Sequence, residues 1–442
     1  MRKVLSFICF MLSLLFIACV STPSKEYLIN KSDNGLRNAI SANAVTPYSF
    51  VVPKVWKEEL EVRNQKMHIN TKIETIDKTV FPVITIKKKV FNTQNSLESL
   101  YSILGNEIEI REAERSYDEL LYDMRLLQRG YFDEIDEETG IPIFLPYDNE
   151  EEEMKMIHAQ LAQAPMEETY VPLTEKTWSV PADTHKIRTA EGQFYYISCY
   201  SNQLHLCRDR DAIVQPESWV LAGNAYPGEP AHALNDITIS EEEAVSIGDD
   251  IMYKLDRSDM RIASIEKARS ADSFYNELGE GYLLIYVSAL PCSVPCYLQK
   301  YAPCIFLDFD SNKTDYTEPW YAESIKLFIT EDGVLDLFWT NPKETVAIAN
   351  ENVQLLPFEQ IQQNVRKLFE YGMNGRIENE DVHLYRIILG ASIQQIPNQG
   401  DEAFLVPTWC FFFQTDSTRR HSDMKEYVLL ISALDGAHVN HY

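Results

Sequence analysis

The sequence has few glycines and fewer bases than acids, and both shortages exclude classes of function. Only 16 of its 442 residues are glycine, and neither G-x-x-x-x-G-K-[ST] nor G-x-G-x-x-G occurs, so no phosphate-binding loop is expected. The motifs H-E-x-x-H and G-x-S-x-G are absent as well. Its 40 basic residues against 67 acidic ones give a formal net charge of −27, which argues against a nucleic-acid partner because phosphates require lysine and arginine. The sequence therefore predicts no catalytic and no cofactor-binding residue.

The N-terminal segment has the pattern of a bacterial export signal. Met1–Lys3 is positively charged, and Val4–Ala18 is apolar apart from two serines. This core is shorter than the roughly 20 apolar residues that span a membrane, so residues 1–18 are predicted to be a signal peptide. The segment Phe16–Cys19 resembles the lipobox of bacterial lipoproteins, although phenylalanine stands where leucine is usual. The resemblance implies acylation of Cys19; the alternative is ordinary secretory cleavage without a lipid.

Residues 19–45 are interpreted as a flexible tether, because they are rich in polar residues and proline and lack a sustained apolar period. Two or more acyl chains anchor a protein stably to a membrane. The acidic surface does not favour direct adhesion to anionic lipid. The predicted location is therefore extracytoplasmic, on a bacterial membrane, with membrane contact through the acyl chains on Cys19.

The rest of the chain is long enough for about two or three domains with sizeable cores. Helical periodicity and β-prone runs predict an α+β fold of tandem domains, each an antiparallel sheet with packed helices. The expected boundaries are an N-terminal domain over 46–180, a middle domain over 181–320 and a C-terminal domain over 321–442.

Two local patterns support this organisation. A helix followed by β-prone runs occurs twice in the C-terminal half, first after the capping box Ser240–Glu243 and again from about Leu355. Between the two copies, Asp332-Gly333 separates two β-prone runs, and this dipeptide supplies the positive φ angles of a tight hairpin. A β-hairpin is therefore predicted at 324–340.

A family resemblance rests on short motifs spread over most of the chain. These motifs are Pro53-x-x-Trp56, Gly281-Tyr282, Asp332-Gly333, Phe338-Trp339-x-x-Pro342, Glu351–Phe358, Val406-Pro407-x-Trp409 and Ala433-x-Asp435-Gly436. Their order resembles a family of secreted bacterial lipoproteins known as a domain of unknown function, DUF6034. The helix-then-strands unit resembles the PepSY-like modules of bacterial envelope proteins. The resemblance implies an envelope location and supplies no catalytic residue.

Six cysteines follow Cys19, and an even number in an exported chain permits three disulfides with 15 connectivities. They are Cys199, Cys207, Cys292, Cys296, Cys304 and Cys410. The preferred pair is Cys199 with Cys207, because a plausible bend separates them. Cys292, Cys296 and Cys304 are close in sequence and could pair among themselves or with Cys410. Disulfides or buried thiols are favoured over zinc, since the close paired spacings of a zinc ribbon are missing, and no metal ligand is predicted.

These observations favour a non-enzymatic envelope lipoprotein that binds or regulates a partner, whose identity the sequence leaves open. The alternative is a secreted hydrolase acting on envelope or dietary polymer, which would require two carboxylates facing each other across an aromatic cleft. A third possibility is a divalent-metal-binding surface protein, suggested by the cysteine cluster and by acidic runs at Asp133–Glu138 and Asp148–Glu153.

Overall fold

A computed structural model of the chain is described here over most of its length. The described residues are 33–42, 51–62, 65–75, 78–112, 115–135, 142–208, 213–216, 234, 237–271, 277–296, 302–303, 320–372, 381–395, 401–415 and 427–439. The predicted signal peptide, Cys19 and Cys304 lie outside these ranges.

Runs of mostly antiparallel strands separated by single helices confirm the predicted α+β class. The helices of the described residues are α1 (Asp33–Ser41), α2 (Thr93–Leu104), α3 (Tyr117–Arg129), α4 (Glu150–Leu161), α5 (Glu241–Lys254) and α6 (Phe358–Gly372). The strands are β1 (Val55–Val62), β2 (Gln65–Glu74), β3 (Val83–Lys88), β4 (Glu109–Arg111), β5 (Tyr131–Ile135), β6 (Pro142–Leu145), β7 (Tyr170–Pro172), β8 (Ala182–Arg188), β9 (Phe194–Tyr200), β10 (Gln203–Cys207), β11 (Ile213–Pro216), β12 (Met260–Ala271), β13 (Glu277–Ser288), β14 (Ala302–Pro303), β15 (Ser324–Thr330), β16 (Gly333–Thr340), β17 (Lys343–Asn350), β18 (Val382–Gln395), β19 (Glu402–Thr415) and β20 (Tyr427–Ser432).

The described strands form two large sheets and a separate hairpin of β5 with β6. The eight-stranded sheet has the order β1-β2-β18-β19-β20-β14, and β3 pairs with the first part of β19 and with β17. Helix α6 packs on this sheet, where Phe358 lies edge-on to Trp56 and to Trp409. Trp409 is fully buried. The apolar face of α6 and the long strands β18 and β19 thus build one core.

The ten-stranded sheet has the order β11-β12-β13-β15-β16-β10-β9-β8-β4-β7. Helices α2 and α5 contribute Leu97, Leu100, Ala244 and Ile251 to the main core on one face of this sheet. Trp339 of β16 lies in the same core and is buried. Helices α2 and α5 lie on this face only, and side chains on the opposite face of β4, β8, β9, β10 and β16 form the candidate site.

The predicted local patterns are present, and strand pairing crosses the predicted domain boundaries. The Ser240 side chain and the Glu243 side chain cap α5 reciprocally, and the hairpin of β15 and β16 turns at Gly333, whose φ is 92°. Each of α5 and α6 is followed by antiparallel strands. However, β1–β3 belong to the sheet of the C-terminal strands, which β2 joins through β18 and β3 through β17 and β19, and β15–β16 belong to the sheet of the middle segment. Boundaries at 180 and 320 assume that each domain is one continuous stretch of the chain, whereas strands that are distant in the sequence pair with each other in the structure.

Part of the predicted tether is also a helix in the structure. Helix α1 buries Leu36 and Ile40 against the core of the eight-stranded sheet. The Ile40 carbonyl oxygen also accepts a hydrogen bond from the Asn350 side chain. Two apolar residues at i, i+4 spacing are too few to show as a sustained period, so their helix could be recognised only from its packing. Among the described residues, no helix is long and apolar enough to cross a membrane.

Candidate binding face

Strands β4, β8, β9, β10 and β16 of the ten-stranded sheet carry polar side chains on the face away from helices α2 and α5, whereas β12, β13 and β15 bury a small apolar cluster there. Successive side chains of a strand point to opposite faces. In β10, Leu204 and Leu206 enter the main core, so His205 and Cys207 point the other way. We use the name outer face for the outward side chains of β4, β8, β9, β10 and β16. They are Glu109, Arg111, Lys186, Arg188, Phe194, Tyr196, Ser198, Tyr200, Gln203, His205, Cys207, Asp336, Phe338 and Thr340.

Strand register aligns several of these side chains in one row across the sheet. Lys186 is paired with Tyr196, Tyr196 with Cys207, and Cys207 with Asp336. Directly opposed residues of antiparallel strands have their Cβ atoms about 4.5–5.5 Å apart. Side chains from β8, β9, β10 and β16 are therefore immediate neighbours, although they are far apart in the sequence.

A group of three side chains lies at the β16 end of this row. His205 Nε2 lies 2.7 Å from Asp336 Oδ2, and the Cys207 thiol is 3.7 Å from the Tyr196 carbonyl oxygen. The ring nitrogen of His205, the sulfur of Cys207 and a carboxylate oxygen of Asp336 all lie within 4.8 Å of one another. The His205 ring also meets the Phe338 ring edge-on, with centroids 5.2 Å apart.

Sequence reasoning missed this group. The one available signal was the spacing of His205 and Cys207, which places both side chains on the same face of a strand. Asp336 is 131 residues away from His205 and reaches it only through the pairing of β10 with β16.

The other end of the outer face holds a buried charge network. Arg111, whose side chain is 2% exposed, donates to Glu119 of α3 at 2.7 Å and to Glu168 at 2.8 Å. Glu168 also accepts from Lys186 at 2.9 Å and from the Tyr170 hydroxyl at 2.7 Å. The pKa of Glu168 is lowered to about 2. Burial by itself raises this pKa, but the hydrogen bonds from the three donors outweigh burial.

This network attaches helix α3 to the sheet and is structural in character. Burial raises the pKa of Tyr196, and the neighbouring Glu119 carboxylate raises it further by charge and by hydrogen bonding. Glu119 and Glu168 share the Arg111 guanidinium, so their charges are compensated. Neither carboxylate is held in the raised-pKa state that a general acid requires.

Aromatic rings and cations alternate beside the network. The Lys186 ammonium lies 4.7 Å from the centroid of the Phe194 ring, and the Arg188 guanidinium lies 4.6 Å from that of Tyr170. Phe194 is 41% exposed, which is high for a phenylalanine within a strand. Aromatic and arginine side chains of this kind are enriched where proteins contact partners.

The structure does not bring together the preferred cysteine pair. Cys199 is in the main core, opposite Leu204, whereas Cys207 is on the outer face, so the sheet separates their sulfur atoms. The predicted Cys199–Cys207 pairing is therefore wrong, because the tight β9–β10 turn gives the two residues opposite orientations. Burial raises the pKa of Cys199 to about 11, which leaves it a thiol at neutral pH.

The second group of predicted cysteines lies at the other sheet. Cys296 and Cys410 are both buried, and Cys296 forms a bridge to Ala391 of β18, next to the strand that carries Cys410. Burial raises the pKa of Cys296 to about 12 and also raises that of Cys410. Cys292 is half-buried and lines a cavity of about 440 Å³ with Val80, Ile348 and neighbouring residues. Burial raises the pKa of Cys292 as well, so these three cysteines are thiols of low reactivity at neutral pH.

The acidic run at 148–153 has an ordinary structural role. Glu150–Glu153 form the first turn of α4, where carboxylates interact favourably with the helix dipole. The side chains of the run at 133–138 lie outside the described residues.

Comparison with family models and with curated proteins finds no match. Among solved structures, the chain is similar to an uncharacterized protein from Eubacterium rectale, with a TM-score of 0.45 and 11% identity over 94% of this chain and 100% of the other. It is also similar to the YpeB C-terminal domain of Bacillus megaterium, with a TM-score of 0.26 and 12% identity over 58% of this chain and 80% of that domain. Because both TM-scores are below 0.5, these similarities assign no function, and the resemblances to DUF6034 and PepSY-like modules stay predictions.

Proposed function

We propose that this protein is a lipid-anchored binding module of the bacterial cell envelope, and that the outer face of its ten-stranded sheet contacts a protein partner. The observation that carries the proposal is the set of partly exposed aromatic rings on that face, with charged side chains beside them. Phe194, Tyr200 and Phe338 all point away from the main core and retain contact with solvent. Rings of this kind add large contact area at a low entropic cost when a partner covers them.

The arrangement favours recognition over catalysis. The charged groups beside the rings are already held by internal bonds, as in the Arg111–Glu168 and Arg188–Glu109 ion pairs. Such a surface is rigid before the partner arrives, which reduces the entropy lost on binding. The proposed acyl anchor on Cys19 would hold the face close to a membrane and restrict its partners to envelope components.

The anchor and the face can be tested separately. Growth with an alkyne-labelled fatty acid is expected to label the wild-type protein and to leave Cys19→Ala unlabelled. Equal labelling of the two proteins, or no label in either of them, would refute the anchor at Cys19. Cross-linking in intact cells, followed by affinity purification, then identifies the envelope protein that is recovered with the wild type.

A pair of variants tests the face itself. The double variant Phe194→Ser, Tyr200→Ser removes two outward rings, whereas the control Val346→Ser, Ile348→Ser removes two exposed apolar side chains from β17 in the other sheet. We expect the cross-linked partner to disappear with the first variant and to persist with the second. Retention of the partner by the first variant would show that the outer face is not the binding surface.

A further inference from the structure

We propose that His205, Cys207 and Asp336 form a zinc-binding site on the outer face, with a fourth coordination position open to solvent. The proposal rests on the three side chains themselves and does not require the protein partner suggested above.

Strand geometry already places the three ligand atoms together. His205 and Cys207 are two residues apart on β10 and share a face, and Cys207 is directly paired with Asp336 of β16. Their ligand atoms lie within 4.8 Å of one another. In a tetrahedral zinc site the bonds are about 2.3 Å to sulfur and about 2.0–2.2 Å to nitrogen and oxygen, so ligand atoms are about 3.2–3.7 Å apart. Rotation of three side chains on an unchanged backbone can reach this spacing.

The donor set selects among metals. One imidazole nitrogen, one thiolate sulfur and one carboxylate oxygen form a mixed set that suits zinc, whereas calcium and magnesium prefer oxygen ligands alone. Binding would replace the thiol proton of Cys207, which passes to solvent, and would exchange the His205–Asp336 hydrogen bond for two bonds to the metal.

The surroundings restrict the site without closing it. The Phe338 ring packs edge-on against the His205 ring and covers one side of the site. The Asp336 side chain is 13% exposed and that of His205 is 32% exposed, so solvent reaches the group from the side of the histidine. Three protein ligands and an accessible fourth position describe a site that takes a water molecule or an incoming donor group.

The test is a metal titration of the mature chain after removal of bound metal by a chelator. We expect one equivalent of Zn²⁺ to bind the wild type and to raise its melting temperature, because a ligand that binds the native state stabilises it. Co²⁺ in place of Zn²⁺ should give a thiolate-to-cobalt charge-transfer band. His205→Gln and Asp336→Asn should lower the affinity at least tenfold, and Cys207→Ser should abolish the band.

A matched control is available in the other sheet. His68 has a similar side-chain exposure of 34% and lies 3.2 Å from Asp381, but no cysteine of the described ranges forms a metal-ligand group with it. His68→Gln is therefore expected to leave zinc binding unchanged. Melting curves without metal show whether each variant is folded. We expect His205→Gln to disturb folding least, because the His205 side chain is half-exposed. Absence of stoichiometric binding, or equal loss in His68→Gln and His205→Gln, would overturn the proposal.

Discussion

Arg257 and Glu323 form a buried, two-bonded ion pair between the end of helix α5 and the start of strand β15. Arg257 Nη2 lies 2.7 Å from Glu323 Oε2, and the second bond joins Nη1 to Oε1. Glu323 is completely buried and also accepts from Trp339 Nε1 and Ser288 Oγ, both at 2.8 Å. Asp259 accepts two further bonds from Arg257. The network joins the helix to three strands of the ten-stranded sheet.

Removing the arginine should therefore be costly. We expect Arg257→Met to lower the free energy of unfolding by about 3–5 kcal/mol, because it leaves the Glu323 carboxylate buried without a compensating charge. Urea unfolding at neutral pH measures the change. Arg386→Met is the matched control, since Arg386 forms its ion pair with Glu74 at the surface and should lose about 1 kcal/mol or less. Equal losses in the two variants would contradict the structural role of the buried pair.

A glycine in β13 permits close approach of the next strand. A Cβ atom at Gly281 would lie 2.1 Å from the carbonyl oxygen of Ile329 in β15. We expect Gly281→Ala to lower the free energy of unfolding by about 1–3 kcal/mol, because the two backbones must separate. Gly390→Ala, whose nearest contacts are at 3.4 Å, should change it by about 1 kcal/mol or less. Thermal unfolding of both variants shows whether the loss comes from this local clash or from any substitution of a glycine within a strand.

The Glu168 network predicts a defined acid sensitivity. The folded-state pKa of Glu168 is about 2, below the ordinary value of 4.5. The ionised carboxylate therefore contributes fully to the free energy of unfolding above pH 4.5, and this contribution is lost as the pH falls toward 2. We expect Glu168→Gln to be less stable than the wild type by about 1–2 kcal/mol at pH 7, with the difference vanishing near pH 2. Urea midpoints measured from pH 7 to pH 2 test this. The exposed Glu175→Gln serves as control, and a difference that persists at pH 2 would show that charge is not the cause.

The orientation of the β9 and β10 cysteines can be tested chemically. We expect digestion of the alkylated, unreduced protein to yield no peptide in which Cys199 is linked to Cys207, because the two side chains lie on opposite faces of the sheet. Mass spectrometry of the digest gives the answer directly. Recovery of that linked peptide would mean that the register of the β9–β10 pair differs from the one described.

The cysteine pair also illustrates the limit of reasoning from spacing. A bend between Cys199 and Cys207 was predicted, and β9 and β10 do turn back on each other. Which residues occupy the turn decides the register, and a shift of one residue reverses the face of every side chain that follows. Spacing alone therefore suggested a pair that the register separates.

By itself, the sequence determined the local features of this protein. The capping box at Ser240–Glu243, the Asp332-Gly333 hairpin and the α+β class follow from interactions over a few residues or from composition. Only the tertiary structure decided that N-terminal strands join the C-terminal sheet and that Asp336 reaches His205. The physical reason is that distant strands pair so as to bury apolar faces in a particular register, which depends on the whole chain at once.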